Sequence, residues 1–204
     1  MVTIPLPYFL RGRIKIPVFT IVYSALLFAV DLSFYTALTL LAAAIHELGH
    51  LSAARLLGIG AEQVTIYPFG ADIRLSAGLR SYRADFFISS AGIVANCIVG
   101  ILCYALFCHN IYLNYFSLCN FLLAGINLFP ASQLDGGGII RSLMLPLIGV
   151  EKAEKLLKII SFLTIIVIWS FSIYVLFYTA TNLSLMLICI YLFASEFISF
   201  GGAE

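Results

Sequence analysis

His46, Glu47 and His50 are the residues whose types and spacing are best suited to chemistry, lying in the run Ala42-Ala43-Ala44-Ile45-His46-Glu47-Leu48-Gly49-His50-Leu51. The pattern is H-E-x-x-H inside a stretch that is otherwise apolar and helical in character. On an α-helix, positions four apart project from the same face, so two imidazoles could grip one metal ion. Glu47 lies beside them, near enough to take a proton from water at such an ion and poorly aimed to be a third ligand. A helix carrying the same three residues on a solvated face is the plainer alternative. The neighbours Leu40, Leu41, Ala42, Ala43, Ala44, Ile45 and Leu48 argue against it, because ionisable groups among such residues are expensive and usually functional.

A catalytic zinc held by two histidines lacks a third protein ligand, and carboxylate oxygen suits it. The segment Ala124-Gly125-Ile126-Asn127-Leu128-Phe129-Pro130-Ala131-Ser132-Gln133-Leu134-Asp135-Gly136-Gly137-Gly138 offers Asp135. Pro130 should stop or kink the preceding helix, and the three glycines should let a nonhelical backbone turn closely around something. Such a stretch is tolerated at membrane depth only where protein buries it or it lines a wet cavity. Standing alone it would read as a cytosolic Asp-Gly turn.

These residues need elements to position them, and composition says which kind. The 204 residues are 62% hydrophobic and 10% charged, with a mean hydropathy of +1.07 and a net charge of +1. A soluble domain carries about 25% charge, so a polytopic membrane protein is expected. The near-zero net charge says nothing about partners. The five cysteines (Cys97, Cys103, Cys108, Cys119, Cys189) show no C-x-x-C pairing and read as buried thiols. No cleavable signal peptide is expected, since no small-residue cleavage site follows Arg11, Arg13 and Lys15.

Apolar runs at about 16–30, 34–57, 86–108, 111–129, 156–178 and 183–200 predict six membrane-spanning helices, most near the ~20 residues a bilayer requires. The expected fold class is all-α and polytopic, with one domain over 1–204. Between the second and third runs, Val64-Thr65-Ile66-Tyr67 and Asp72-Ile73-Arg74-Leu75 flank Pro68 and Gly70 and predict a short β-hairpin. Ile14-Lys15-Ile16 is a candidate third strand at the same interface. All eleven basic residues fall in the N-terminal tail, in the second-to-third connection or in the fourth-to-fifth connection. With six spans those segments share one side, which the basic bias makes cytosolic, together with both termini.

H-E-L-G-H on one apolar helix plus N-x-x-P-x-x-x-L-D-G-G resembles the site-2 protease family of intramembrane zinc metalloproteases. Six spans with Ile14-Lys15-Ile16 ahead of the first look most like its stage IV sporulation FB branch. The resemblance implies hydrolysis of a peptide bond in or near the membrane segment of a membrane-protein substrate, with one zinc ion. His46, His50 and Asp135 match the family's metal ligands, and Glu47 matches its catalytic glutamate. Asn127 matches the asparagine of the second motif, which implies a role in orienting substrate or polarising its carbonyl. The resemblance also implies a multi-pass protein of a bacterial cell membrane, with the active-site opening on the cytosolic side. A membrane-bound transcription-factor precursor or an anti-sigma factor fits as substrate, and the expected surroundings are lipid, without nucleic acid.

Departures from the pattern are specific. Gly92-Ile93-Val94-Ala95-Asn96 is similar to the family's G-P-x-x-N with Ile93 in place of proline, and helix packing through Ser89, Ser90, Ala91, Gly92 and Ala95 explains it at least as well. Gly138 stands where arginine often follows the glycine pair. His109 reads as a bystander at a span end. Neither a nucleotide-sensing CBS module nor a PDZ domain is expected. Two other classes compete: a catalytically silent membrane scaffold, against which the intact His46, Glu47, His50 and Asp135 argue, and a metal-ion transporter, which would show matching polar breaks in both halves.

Overall fold

The structure is a computed structural model, described over residues 2–5, 13–16, 33–67, 70–75, 81–107 and 109–179, with 190 and 193. The first and sixth predicted spans lie almost wholly outside the described residues. Five helices run in order: α1 (Phe34–Leu56), α2 (Tyr82–Phe107), α3 (Ile111–Asn127), α4 (Asp135–Ile148) and α5 (Val150–Thr179). The chain divides into two compact units, Met1–Gly125 and Ile126–Glu204.

Among the described residues, α1 and α2 in the first unit and α5 in the second are long and apolar enough to cross a membrane. At 17 residues, α3 is shorter, rising about 26 Å. Two helices begin earlier than their apolar runs. Tyr82 opens α2 and Val150 opens α5, because a helix continues through polar residues at an interface where hydropathy has already fallen. The structure therefore supports a mostly helical membrane-type fold over the described residues.

In the first unit, local signals mark where helices start and stop. Ser33 caps α1, its Oγ accepting from Thr36 N–H at 3.4 Å. Gly58 ends it at φ +71°, a left-handed conformation that favours glycine. Ile59 N–H then reaches Ala54 O at 2.8 Å and Gly58 N–H reaches Arg55 O at 2.9 Å, which is the Schellman closure. Asn110 caps α3, its Oδ1 accepting from Tyr112 and Leu113 N–H at 3.0 and 3.2 Å. The described strands β1 (Val2–Pro5), β2 (Arg13–Ile16), β3 (Ala61–Tyr67) and β4 (Gly70–Leu75) form one sheet in that order. Strands β2 and β3 run parallel, with antiparallel pairs on either side.

The core of this unit is a cluster of Leu38, Ala42 and Phe116, with Ile45, Val99, Cys103, Tyr115 and Cys119 packed around it. Thr39 Oγ1 and Tyr115 Oη lie 3.1 Å apart and join α1 to α3. At the same end, the Phe34, Tyr35, Tyr112 and Tyr115 rings meet at centroid distances of 4.8 to 5.6 Å. Such an aromatic group is typical of a membrane–water interface.

In the second unit, α4 and α5 pack together, joined through Gly149 at φ +79°. An ion pair between Arg141 and Glu154 spans the same two helices at 2.7 Å. The buried face of α5 carries Ala153, Leu157, Ser161 and Ile165, one residue per turn.

Candidate metal centre

His46 and His50 lie on the buried stripe of α1, with Leu38, Ala42 and Ala54. Eleven residues separate His46 from Tyr35 in the aromatic group and nine separate it from Arg55. At 1.5 Å per residue, His46 sits about 16 Å from one and about 14 Å from the other, midway along a membrane-length helix, with His50 one turn nearer Arg55.

Two contacts fix the pair. His50 Nδ1 is 2.7 Å from the carbonyl oxygen of Ile88 on α2. A carbonyl only accepts, so Nδ1 carries a proton, and in the neutral ring, the form that binds a metal, Nε2 keeps its lone pair. That lone pair faces His46 Nε2 at 3.2 Å, with the two rings nearly perpendicular at 85°. Two nitrogens bound at 2.0–2.1 Å to one tetrahedral zinc lie about 3.3 Å apart. The pair therefore fits zinc in spacing, and His50 fits it in tautomer as well.

Glycines make that geometry possible. A Cβ on Gly92 would meet His50 Nε2 and, at 2.8 Å, His46 Cε1. A Cβ on Gly49 would sit 2.7 Å from Ala91 O and 2.9 Å from Ala95 Cβ. Helices α1 and α2 can approach this closely only because both positions lack side chains. The sequence pointed to Gly92 as one of several small residues in a packing stripe. Its contact with both imidazoles, and the role of the Ile88 carbonyl, carry no signal in side-chain type.

Glu47 is half-buried, on the face next to the pair. His109 is exposed in the turn between α2 and α3, at the far end of α2 from Ile88.

In the second unit, Asp135 is the first residue of α4 and is partly buried. The expectation of a nonhelical backbone through Gly138 is corrected here, since Asp135–Gly138 form the first turn of a helix. The turning is done earlier, where Ala131 N–H bonds to Phe129 O at 2.8 Å and Leu134 N–H to Ala131 O at 2.9 Å. The glycines let this loop close on the helix start. A Cβ on Gly136 would strike the Leu128 and Phe129 carbonyls, and one on Gly137 the Ala131 carbonyl. Ser161, fully buried on α5, accepts from Ser132 N–H at 3.0 Å and ties the loop down. Asn127 ends α3 where this loop begins. Sequence reading missed Ser161, whose only signal was its place in the one-per-turn stripe of α5.

The model of peptidase family M50 matches residues 33–112, which include α1 with its histidine pair. A zinc metalloprotease of Methanocaldococcus jannaschii is 31% identical over 119 residues, 55% of this chain. The chain spans about a third of that relative's length, 34%. A solved site-2 protease from Methanocaldococcus jannaschii superposes with a TM-score of 0.68 at 22% identity, covering 96% of this chain and 94% of that one. The fold is that of a site-2 protease. The resemblance to site-2 proteases is borne out, in the family model that matches over the H-E-L-G-H helix and in the shared fold.

Proposed function

We propose that this protein is an intramembrane zinc metalloprotease that hydrolyses a peptide bond in or near the membrane segment of a membrane-protein substrate. The observation that carries the reading is the 3.2 Å approach of His46 and His50 Nε2 midway along an apolar helix. His46, His50 and Asp135 would together supply two imidazole nitrogens and one carboxylate oxygen, the kind of donor set a catalytic zinc takes. Zinc there would act as a Lewis acid and acidify water at neutral pH. Glu47 would take the proton from the attacking water and pass it to the leaving amine. Asn127 would donate its amide N–H to the scissile carbonyl. Ile88, through its carbonyl, keeps His50 in the ligating tautomer.

In this reading the chain forms one catalytic domain with six spans. Both termini and the site's opening face the cytosol of a bacterial cell, supported by the distribution of basic residues. A helical substrate shields its carbonyls and must be unwound before hydrolysis. The pair β3 and β4 would hold it extended by strand addition. A membrane-tethered transcription-factor precursor or an anti-sigma factor would present such a segment.

The test is co-expression of candidate substrates with the wild type, Glu47→Gln and Asp135→Ala. Glu47→Gln should keep its zinc and lose cleavage, while Asp135→Ala should lose both. Near wild-type turnover by Glu47→Gln would remove the general base from this mechanism. Full zinc occupancy in Asp135→Ala would remove the third ligand.

A further inference from the structure

We propose that Asn96 on α2 and Asn120 on α3 together hold one internal water molecule beside the histidine pair, and that this water supplies the hydrolysis. The second half of that statement rests on the protease reading, and the first does not. Both asparagines have 0% exposure. Asn120 Nδ2 donates to Phe116 O at 2.8 Å. Its Oδ1, and both amide atoms of Asn96, have no hydrogen-bond partner among the described residues. Buried amide groups are normally satisfied by protein or by water.

Register brings the two side chains to one level. Ser117 Oγ donates to Gly100 O at 2.7 Å, and a Cβ on Gly100 would lie 3.1 Å from the Phe121 ring. The short His109–Asn110 connection makes α2 and α3 antiparallel. One turn back from Gly100 is Asn96, and one turn on from Ser117 is Asn120. Another turn back along α2 is Gly92, against which both imidazoles pack.

The three functions match one water. Its two hydrogens serve Asn96 Oδ1 and Asn120 Oδ1, and its oxygen accepts from Asn96 Nδ2. About three hydrogen bonds is the usual complement of a buried water. The Leu38–Ala42–Phe116 cluster closes off the direction away from the histidines with apolar side chains. Each turnover consumes one water: its O–H joins the carbonyl carbon, its second hydrogen reaches the amine nitrogen, and the C–N bond breaks. A site midway along a membrane helix, covered by its substrate, benefits from water already stored one turn away.

The direct test is a high-resolution structure of the intact zinc-loaded protein in lipid. An ordered water within hydrogen-bond distance of Asn96 Nδ2, Asn96 Oδ1 and Asn120 Oδ1 is expected, and its loss in Asn120→Leu. A map that resolves other internal waters but shows the two amides bonded directly to each other would overturn the proposal, whether or not the leucine variants fold. Kinetics tests the supply. Asn96→Leu and Asn120→Leu should each lower kcat about tenfold with KM and zinc content unchanged, the loss of one hydrogen-bonded species. The double variant should be no slower than either single one, because both remove the same water. Unchanged kcat, or losses that multiply, would overturn the supply role even with the water in place. A water seen in a wild type that cleaves nothing would instead sink the protease reading.

Discussion

His50 Nδ1 donates to the carbonyl oxygen of Ile88 across 2.7 Å, joining the metal-type histidine of α1 to the backbone of α2. The bond decides the tautomer of His50, and with it which nitrogen can bind an ion. It is made by a main-chain atom, so no substitution of the Ile88 side chain removes it. What can disturb it is the spacing of the two helices, which Gly49 and Gly92 set.

Gly92→Ala should therefore act on the metal more than on the fold. Its new Cβ would press on both imidazoles, and disturbing the support of a ligand typically weakens metal affinity about 10- to 100-fold. Zinc competition with a chelator, read beside thermal unfolding, checks this. Affinity within twofold of the wild type would show that the histidines have room to move.

Topology can be read by labelling cysteines placed at Arg83, Asn110 and Lys152, with the native cysteines replaced. Positions 83 and 152 should react only from the cytosolic side and position 110 only from the other. Labelling of 83 and 110 from one side would break the six-span arrangement, because α2 would then not cross.

Proline at Ile73 or Leu75 removes a backbone donor from β4. If β3 and β4 hold the substrate extended, both variants should keep zinc and cleave at least about tenfold more slowly, the effect of one lost hydrogen bond. Helix-breaking residues near the scissile bond should partly restore the rate. Unchanged cleavage by both variants would end the strand-addition idea.

The Arg141–Glu154 ion pair should matter little. Its side chains are 44% and 37% exposed, and exposed pairs contribute about 1 kcal/mol or less. Arg141→Gln should shift Tm by less than about 4 °C. A larger drop would mean that this pair is the main lock between α4 and α5.

Sequence alone determined the chemistry on offer and the kind of solvent around it. Helical periodicity puts His46 and His50 on one face, and apolar runs of membrane length announce helices such as α1, α2 and α5, because both signals are local. The loop from Leu128 to Leu134 was legible as a break at Pro130. That the break ends before Asp135, and that Gly136 and Gly137 pack inside a helical turn, was not, because glycine spacing looks the same in a loop and at a close helix start. Only the tertiary structure decided the His50 tautomer, the fit of Gly92 to two imidazoles and the full burial of Asn96 and Asn120. Each depends on where a second helix lies, and a main-chain carbonyl or a missing Cβ on that helix leaves no mark in the order of side chains.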